Sequence, residues 1–366
     1  MAFLVEFIST FWLILVNGCL FLVILGFAIQ KRIPKTKIEP PVSIIVAVWN
    51  EGPRIKLTIE SLLKQTYPKR KTEIIVVGGG KDNTAEICRK LQRKGYIRYL
   101  FEKEKMGKWY ALQRALKLVK YEYIAFVDAD CVAERNWLRK LVSEIGENDL
   151  IISRANTIST KKFTGKIFSF FYPFMDYFYD NLTKFFKLPT FFGFGSLMKK
   201  SVLKGVQFRK SIIEDWRFGF EMIRKKYSII RSDDALVYHH IPNSFGGVRK
   251  AALRVFEGYV YETIPRGDWF AFSFTFLVSI GVIGIFSTIY LLFLGNSLTT
   301  VLTMVSFLQL FLLASLVSFK EKNTLVLLSV PVLVVLYFML SVFAIETLLR
   351  ILLGKNVGWL PYEKIS

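Results

Sequence analysis

The residues with the clearest chemical potential in this sequence are the two aspartates of the tripeptide Asp128-Ala129-Asp130. They follow the apolar run Tyr123–Val127, which is typical of a buried strand. In extended chain, side chains two positions apart point to the same face. The carboxyl ends of strands in an open α/β sheet border the crevice where ligands bind. Because paired hard oxygens suit Mg²⁺ or Mn²⁺ completed by substrate phosphates, the tripeptide predicts a divalent-cation site.

A second acidic pair, Glu214-Asp215, follows Ile212-Ile213 and precedes Trp216. An apolar setting raises the pKa of a carboxyl group toward the basicity that a general base needs. Acids also favour the first turn of a helix, so the pair equally suits a helix N-terminus. The two interpretations are compatible, and both stay open at this point.

The histidines and cysteines give weaker signals. His239 and His240 are adjacent, and either a structural role or a contact with metal or phosphate fits them. The cysteines, Cys19, Cys88 and Cys131, have no metal-like spacing, and we expect no disulfide framework.

Long apolar segments dominate both ends of the chain, whose mean hydropathy is +0.37. Ile8–Ile29 is uncharged and long enough to span a bilayer as a retained anchor. Three further segments of this kind follow near the other end: Trp269–Leu294, Ser297–Phe319 and Thr324–Leu349. The net charge of +21 would suit nucleic acid, but no nucleic-acid module is recognisable. We therefore expect contacts with anionic lipid headgroups and a phosphorylated substrate, and none with nucleic acid.

Charge asymmetry predicts the orientation in the membrane. Glu6 precedes the first anchor, and four basic residues follow it: Lys31, Arg32, Lys35 and Lys37. The positive-inside rule then places the N-terminus outside and residues 31–265 in the cytoplasm of a multi-pass plasma-membrane protein. Glu346 and Arg350 make the last segment amphipathic, so it either crosses fully or ends along the interface.

Strand and helix patterns alternate between Val42 and Ser153. Apolar runs predict four strands: Val42–Val48, Glu73–Val77, Tyr96–Phe101 and Tyr123–Val127. Helical spacing separates them, and Asp82-Asn83-Thr84 has N-cap chemistry. Repeated βα units predict a mainly parallel, twisted α/β sheet with helices on both faces.

Two later segments mix basic and aromatic residues. Residues 161–190 and residues 241–268 suit interfacial amphipathic helices in the headgroup region. The alternative for the first segment is an aromatic part of the core. The predicted domains are thus an anchor at 1–30, a catalytic domain at 31–240, an interfacial region at 241–268 and a membrane region with a short tail at 269–366.

Six motifs along residues 42–260 resemble membrane-embedded family-2 glycosyltransferases with a GT-A catalytic domain, the superfamily of cellulose, hyaluronan and glucosylceramide synthesis. They are Ile44–Glu51 with its Asn-Glu ending, the second strand and loop Ile74–Thr84, Gly107-Lys108 with Ala111 and Gln113, Asp128-Ala129-Asp130, Glu214-Asp215, and Arg254 with Gly258 as a remnant of QxxRW.

The resemblance implies a role for each matched residue. Asp130 is the principal metal ligand, Asp128 faces the nucleotide beside the ion, and Asp215, paired with Glu214, is the general base. The implied contacts of the nucleotide-sugar are Ala47, Glu51, Gly78, Lys108, Asp128 and Arg254. The implied acceptor pocket contains Gly193, Gly195 and Trp216.

Three positions depart from the family pattern. Gly78 stands where the family usually has an aspartate, Ala251 replaces the Gln of QxxRW, and Val255 replaces its Trp. Loss of the aromatic platform disfavours a polysaccharide acceptor. We therefore expect an inverting, non-processive transferase that moves one sugar from a UDP- or GDP-sugar to a lipid hydroxyl. The alternatives are a processive polysaccharide synthase, transfer to polyprenyl phosphate, and a silent membrane scaffold or transporter.

Overall fold

The computed structural model describes residues 2–29, 32–158, 163–186, 193–240 and 244–355. The chain divides into two compact units. The first, called here the sheet unit, contains residues 31–158 and 188–240. The second, called the helical unit, contains residues 1–30, 159–187 and 241–365.

The sheet unit alternates strands and helices in its first half, as the sequence predicts. Its strands are β1 (Val42–Trp49), β2 (Thr72–Gly79), β3 (Arg98–Phe101), β4 (Tyr123–Phe126), β5 (Cys131–Ala133), β6 (Leu150–Thr157), β7 (Ser196–Lys199) and β8 (Ile229–His239). Its helices are α2 (Gly52–Leu63), α3 (Thr84–Arg93), α4 (Lys108–Leu116), α5 (Trp137–Ile145) and α7 (Glu214–Arg224).

The strands form one sheet in the order β3-β2-β1-β4-β7-β6-β8-β5. The pairs β3-β2, β2-β1, β1-β4 and β6-β8 are parallel, whereas β4-β7, β7-β6 and β8-β5 are antiparallel. The α/β fold with a largely parallel sheet is therefore confirmed, and the sheet is mixed because β5 and β7 run opposite to the other six strands. Strand β1 is buried along most of its length, as its continuous apolar run requires.

Glycines allow the ends of β1 and β2 to lie against each other. Gly78 has φ +136°, and a Cβ there would lie 1.8 Å from the carbonyl oxygen of Val48. Beyond the strands, the Asn50 side chain accepts a hydrogen bond of 2.7 Å from the Lys81 amide. The Thr84 hydroxyl accepts from the amide of Glu51 at 2.9 Å. These bonds fix the loop that borders the carboxyl edge of the sheet.

The helical unit contains α1 (Ala2–Ala28), α6 (Phe163–Thr183), α8 (Phe245–Gly258), α9 (Trp269–Phe293), α10 (Ser297–Glu321) and α11 (Ser329–Leu352). Within the described residues, four helical segments are long and apolar enough to cross a membrane: Ala2–Ala28, Ala271–Phe293, Ser297–Glu321 and Thr324–Leu352. They coincide with the four segments that the sequence predicts.

Polar groups connect these apolar helices at a few points. The Asn17 amide in α1 donates to the Leu302 carbonyl at 3.1 Å and to the Ser306 hydroxyl at 2.9 Å, both in α10. The ring of Trp12 fills the space beside Gly284 of α9, where a Cβ would lie 2.6 Å from it. Because lipid offers no hydrophobic driving force between helices, close packing and such hydrogen bonds hold them together.

The two segments predicted as interfacial are both helical where the structure describes them. In α6, Phe170 and Phe171 pack against Leu336 of α11, and no described side chain between 169 and 183 is exposed. Helix α8 continues through a π-helical turn at Tyr259–Thr263. Residues 161–162, 187–190 and 241–243 of these predicted segments lie outside the described part, and placement at the membrane interface stays a prediction.

Candidate active site

The register of the sheet brings two distant parts of the sequence together. Strands β4 and β7 are antiparallel, with Phe126 opposite Ser196. The residues that follow β4 therefore lie beside the residues that precede β7. Asp128 belongs to the first group and Gly193 to the second. The predicted strand-end carboxylate thus lies at the carboxyl edge of the sheet, as the sequence pattern indicates.

Lys108 is the first residue of helix α4 and follows Gly107, whose φ is +102°. Its ammonium group lies 2.7 Å from Oδ1 of Asp128 and 3.4 Å from Oε1 of Glu214. The side chains of Lys108 and Asp128 are 29 % and 28 % exposed, and that of Glu214 is 13 % exposed. A partly buried cation therefore links acidic residues from two different motifs.

The acidic pair Glu214-Asp215 forms the first turn of helix α7. Oδ1 of Asp215 accepts a hydrogen bond of 2.8 Å from the backbone amide of Trp216. This bond leaves the second carboxylate oxygen to face the site. Both interpretations of the pair are therefore compatible with its geometry, because the acids begin a helix and also border the cluster around Lys108.

Gly193 lies where the charged groups converge. A Cβ on this residue would lie 2.9 Å from Oδ2 of Asp215 and 3.0 Å from both Oδ2 of Asp128 and Nζ of Lys108. These groups and Glu214 line one pocket together with apolar side chains, Ile45, Ala47, Leu112, Phe126, Val127 and Phe208. The site is thus a charged cluster above an apolar floor.

Burial and charge shift the protonation of the cluster in opposite ways. Burial is the main cause that raises the pKa of the Asp128 carboxyl to about 6; Lys108 opposes this rise and the carboxylates of Asp130 and Asp215 add to it. Burial would lower the pKa of the Lys108 ammonium, but Asp128, Glu214 and Asp215 together raise it above its usual value. Lys108 therefore stays charged at neutral pH.

The donor set is compatible with a hard divalent cation, with substrate or water completing the shell. Asp128 and Asp130 offer carboxylate oxygens, and the effect of Asp130 on the pKa of Asp128 shows that the two charges interact. Among the described residues, no group of three or more His, Cys, Asp or Glu side chains is arranged to hold a metal. The remaining ligands would have to come from the diphosphate of a substrate and from water.

The structure brings six of the residues singled out from the sequence into the same pocket: Ala47, Lys108, Asp128, Gly193, Glu214 and Asp215. Glu51 and Gly78 lie at the neighbouring strand ends, where Glu51 pairs with Arg54 at 3.5 Å. They border the loop described above and are not among the residues that line this pocket.

Three other residues of that set have different surroundings. Trp216 is 1 % exposed and belongs to the core, so its indole offers no surface to an acceptor in this conformation. A Cβ on Gly195 would lie 2.8 Å from the Ser153 hydroxyl, which places this glycine against the core as well. Arg254 is in α8 of the helical unit, and its Nε is buried without a hydrogen-bond partner in the described part of the chain.

Two aromatic contacts near the site were not expected from the sequence. The ring of Phe208 stacks on that of Phe218 at 4.3 Å between centroids and forms part of the pocket floor. His239 stacks on Phe194 at 5.5 Å, which is a packing role for this histidine. Neither pair has the spacing of neighbours on one helix or strand, since the members are 10 and 45 positions apart in the sequence.

Known proteins resemble this chain at the level of sequence. The family described as Glycosyl transferase family 2 matches residues 43–206. Glycosyltransferase AglE of Haloferax volcanii is 35 % identical over 112 residues, covering 30 % of this chain and 37 % of that protein. A poly-beta-1,6-N-acetyl-D-glucosamine synthase of Staphylococcus epidermidis is 26 % identical over 235 residues, covering 62 % of this chain and 56 % of that protein. The chain thus matches about half or less of the length of these relatives.

A solved structure with a similar fold covers nearly the whole chain. It is the mannosyltransferase PcManGT from Pyrobaculum calidifontis in complex with GDP-Man and Mn²⁺, at a TM-score of 0.64 and 16 % identity. The similarity covers 96 % of this chain and 99 % of that one. The resemblance seen in the six motifs is confirmed: residues 43–206 match the family-2 glycosyltransferase domain, the fold is GT-A-like, and the four apolar helices fit a membrane-embedded member of that family.

Proposed function

We propose that the protein is an inverting, non-processive glycosyltransferase that moves one sugar from a UDP- or GDP-sugar to a hydroxyl of a membrane lipid. The observation that carries this proposal is the convergence of Asp215, Asp128 and Lys108 around Gly193. Displacement at an anomeric carbon requires three kinds of group close together: a carboxylate oxygen that can accept a proton, a second carboxylate, and an ammonium group.

The proposed reaction is a single displacement. The free carboxylate oxygen of Asp215 takes the proton of the acceptor hydroxyl, and the acceptor oxygen forms a bond to the anomeric carbon. The bond between that carbon and the diphosphate breaks, and the nucleoside diphosphate leaves with the electron pair. The configuration at the anomeric carbon inverts because attack and departure occur on opposite faces. Lys108 supplies positive charge where the leaving group gains negative charge.

In this proposal Asp130 and Asp128 hold Mg²⁺ or Mn²⁺. When bound, the ion neutralises charge on the departing diphosphate. Arg254 is proposed as a second basic residue that binds an anionic group. Its Nε is buried and has no hydrogen-bond partner among the described residues, and an anionic ligand would satisfy such a nitrogen. The PcManGT structure holds GDP-Man and Mn²⁺ on the same fold, which supports a nucleotide-sugar donor here.

A lipid acceptor at the cytosolic face is supported by the membrane features of the chain. Four helices have the length and apolar composition of membrane spans, and basic residues follow the first of them. An enzyme so anchored works beside the bilayer, in our proposal the plasma membrane. The acidic pair supports a hydroxyl acceptor, because a lipid phosphate is already anionic at neutral pH and needs no general base.

Polysaccharide synthesis is the second candidate, and a specific observation favours it. The relative from Staphylococcus epidermidis that matches 62 % of this chain is a poly-beta-1,6-N-acetyl-D-glucosamine synthase. Against it stands Val255, at the position where the QxxRW pattern of the family that the motifs resemble has its Trp. The length of the product separates the two candidates directly.

The test compares purified Asp215→Asn with a matched variant, Glu221→Gln, which removes an acid from the same helix α7 away from the pocket. Membrane lipid extract serves as acceptor, and radiolabelled UDP- and GDP-sugars serve as donors. Asp215→Asn should transfer sugar about 10²–10⁴-fold more slowly, whereas Glu221→Gln should match the unmodified protein. Donor binding, followed as a thermal shift, should survive in both variants.

Mass spectrometry of the lipid product completes this test. One added hexose on a lipid that lacks a phosphate linkage supports the proposal. Long chains of sugar would show polymer synthesis, and rapid transfer to polyprenyl phosphate by Asp215→Asn would show a phosphate acceptor. Full activity of Asp215→Asn on a lipid hydroxyl would refute the role of this residue as the base.

A further inference from the structure

The ammonium group of Lys108 lies among the carboxylates of the pocket, as a bound cation would. Its ammonium lies 2.7 Å from Oδ1 of Asp128 and 3.4 Å from Oε1 of Glu214. The point that a Cβ of Gly193 would occupy is equally close, 3.0 Å, to this ammonium and to Oδ2 of Asp128. Lys108 therefore holds one oxygen of Asp128 and borders the other.

Asp128 is also half of the carboxylate pair that would hold a divalent ion. The Lys108 ammonium, 2.7 Å from Oδ1, neutralises part of the negative charge of this carboxylate and so makes Asp128 a weaker ligand for a metal ion. The ammonium also places a positive charge next to the position that a second cation would take, which costs free energy in a partly buried site. Lysine and metal therefore compete for the same side chain.

We infer that Lys108 is an internal counter-ion that occupies Asp128 in the donor-free protein and weakens divalent-cation binding until a diphosphate arrives. This inference rests on the proposed function, because it assumes that Asp128 and Asp130 hold a metal. A donor brings a diphosphate whose oxygens offer Lys108 a new anionic partner. When the Lys108 side chain moves from Asp128 to those oxygens, the Asp128 carboxylate becomes available to the metal ion. Donor and metal ion therefore bind more tightly together than either does alone.

The counter-ion also explains how three acidic side chains tolerate proximity to one another. Without Lys108, the carboxylates of Asp128, Glu214 and Asp215 would repel one another in a partly buried space. Lys108 connects Asp128, after strand β4, to Glu214, at the start of α7. It is therefore a positioning residue for these two carboxylates in addition to its proposed contact with the leaving group.

The test measures Mn²⁺ affinity without nucleotide, by titration of the free ion's paramagnetic resonance signal at pH 8. The variants are Lys108→Met, Lys108→Arg and Lys117→Met, the last removing an exposed lysine just beyond the other end of α4. Lys108→Met should bind Mn²⁺ about 10-fold more tightly than the unmodified protein, because the competing charge is gone. Lys108→Arg keeps the charge and should stay near the unmodified value, as should Lys117→Met.

Equal or weaker Mn²⁺ binding by Lys108→Met, in samples whose circular dichroism shows the native fold, would overturn the inference. Asp130→Ala distinguishes this failure from failure of the proposed metal site. If the unmodified protein binds Mn²⁺ and Asp130→Ala does not, the metal site is real and only the competition is at issue. If none of these proteins binds Mn²⁺, Lys108→Met included, the metal assignment and the inference both fall.

Discussion

Substitution of Gly193 by alanine should damage catalysis and leave the fold intact. The new Cβ would lie 2.9 Å from Oδ2 of Asp215 and 3.0 Å from both Oδ2 of Asp128 and Nζ of Lys108, where ordinary contact begins at 3.4 Å. Each charged group must therefore move by about half an ångström. Gly193 has no left-handed backbone angle, so alanine itself adds no strain there.

The expected magnitude follows from that displacement. Misplacement of reacting groups by about 1 Å can cost about 10²-fold in rate, so half that distance at three groups should cost about 10-fold or more. Fold stability should hardly change, because the displaced atoms are the ends of flexible side chains, and the Lys108 and Asp128 side chains are 29 % and 28 % exposed. The assay is release of nucleoside diphosphate from UDP- and GDP-sugars, together with the melting temperature.

Gly195→Ala is the matched control, two residues away. Its Cβ would lie 2.8 Å from the Ser153 hydroxyl and 2.9 Å from Cγ1 of Val237, both in the core. Overpacking there should cost about 1–3 kcal/mol of fold stability and lower the melting temperature. The expected pattern is thus lost activity with an unchanged melting temperature for Gly193→Ala, and a lowered melting temperature for Gly195→Ala. Unchanged turnover in Gly193→Ala would refute the convergence of catalytic groups at this glycine.

Two other predictions concern stability and orientation. Burial raises the pKa of Glu144, whose side chain is fully buried. The folded protein therefore loses stability as pH rises from about 4.5 through this raised pKa, because the buried carboxyl group must then lose its proton. We expect the melting temperature of the unmodified protein to fall relative to that of Glu144→Gln between pH 4.5 and 7.5. A cysteine at Lys90, which is 63 % exposed in a chain whose Cys88 and Cys131 are buried, should react with an impermeant thiol reagent only after cell lysis. Labelling of intact cells would reverse the orientation.

The first half of the sheet is predictable from the sequence because each of its strands is marked by the residues of that strand alone. Strands β1, β2 and β4 coincide with continuous apolar runs, and each run ends within about two residues of its predicted boundary. The predicted position of Asp128 at the carboxyl edge followed from the β4 run alone. A parallel strand buried on both faces leaves this signature whatever else surrounds it.

The second half was not predictable in the same way. Strand β7 has four residues and pairs antiparallel with both β4 and β6. Its partners lie 44 to 76 positions away in sequence, so no local pattern marks the pairing. The contact of Gly193 with the carboxylates depends on this register. The sequence could therefore identify the acidic residues, but not the glycine that makes room for them.

Gly78 illustrates how a departure from a family pattern can follow from backbone geometry. A Cβ at this position would lie 1.8 Å from the carbonyl oxygen of Val48, and φ is +136°, so the backbone excludes the aspartate that the family usually carries there. At neighbouring Gly80, a Cβ would lie 2.4 Å from Oδ1 of Asn50 and 2.8 Å from Oδ1 of Asp82. Polar oxygens therefore border this loop even though position 78 has no side chain. The glycine at position 78 is thus compatible with the close packing of these strands, and the proposed roles of Asp128 and Lys108 do not depend on a carboxylate there.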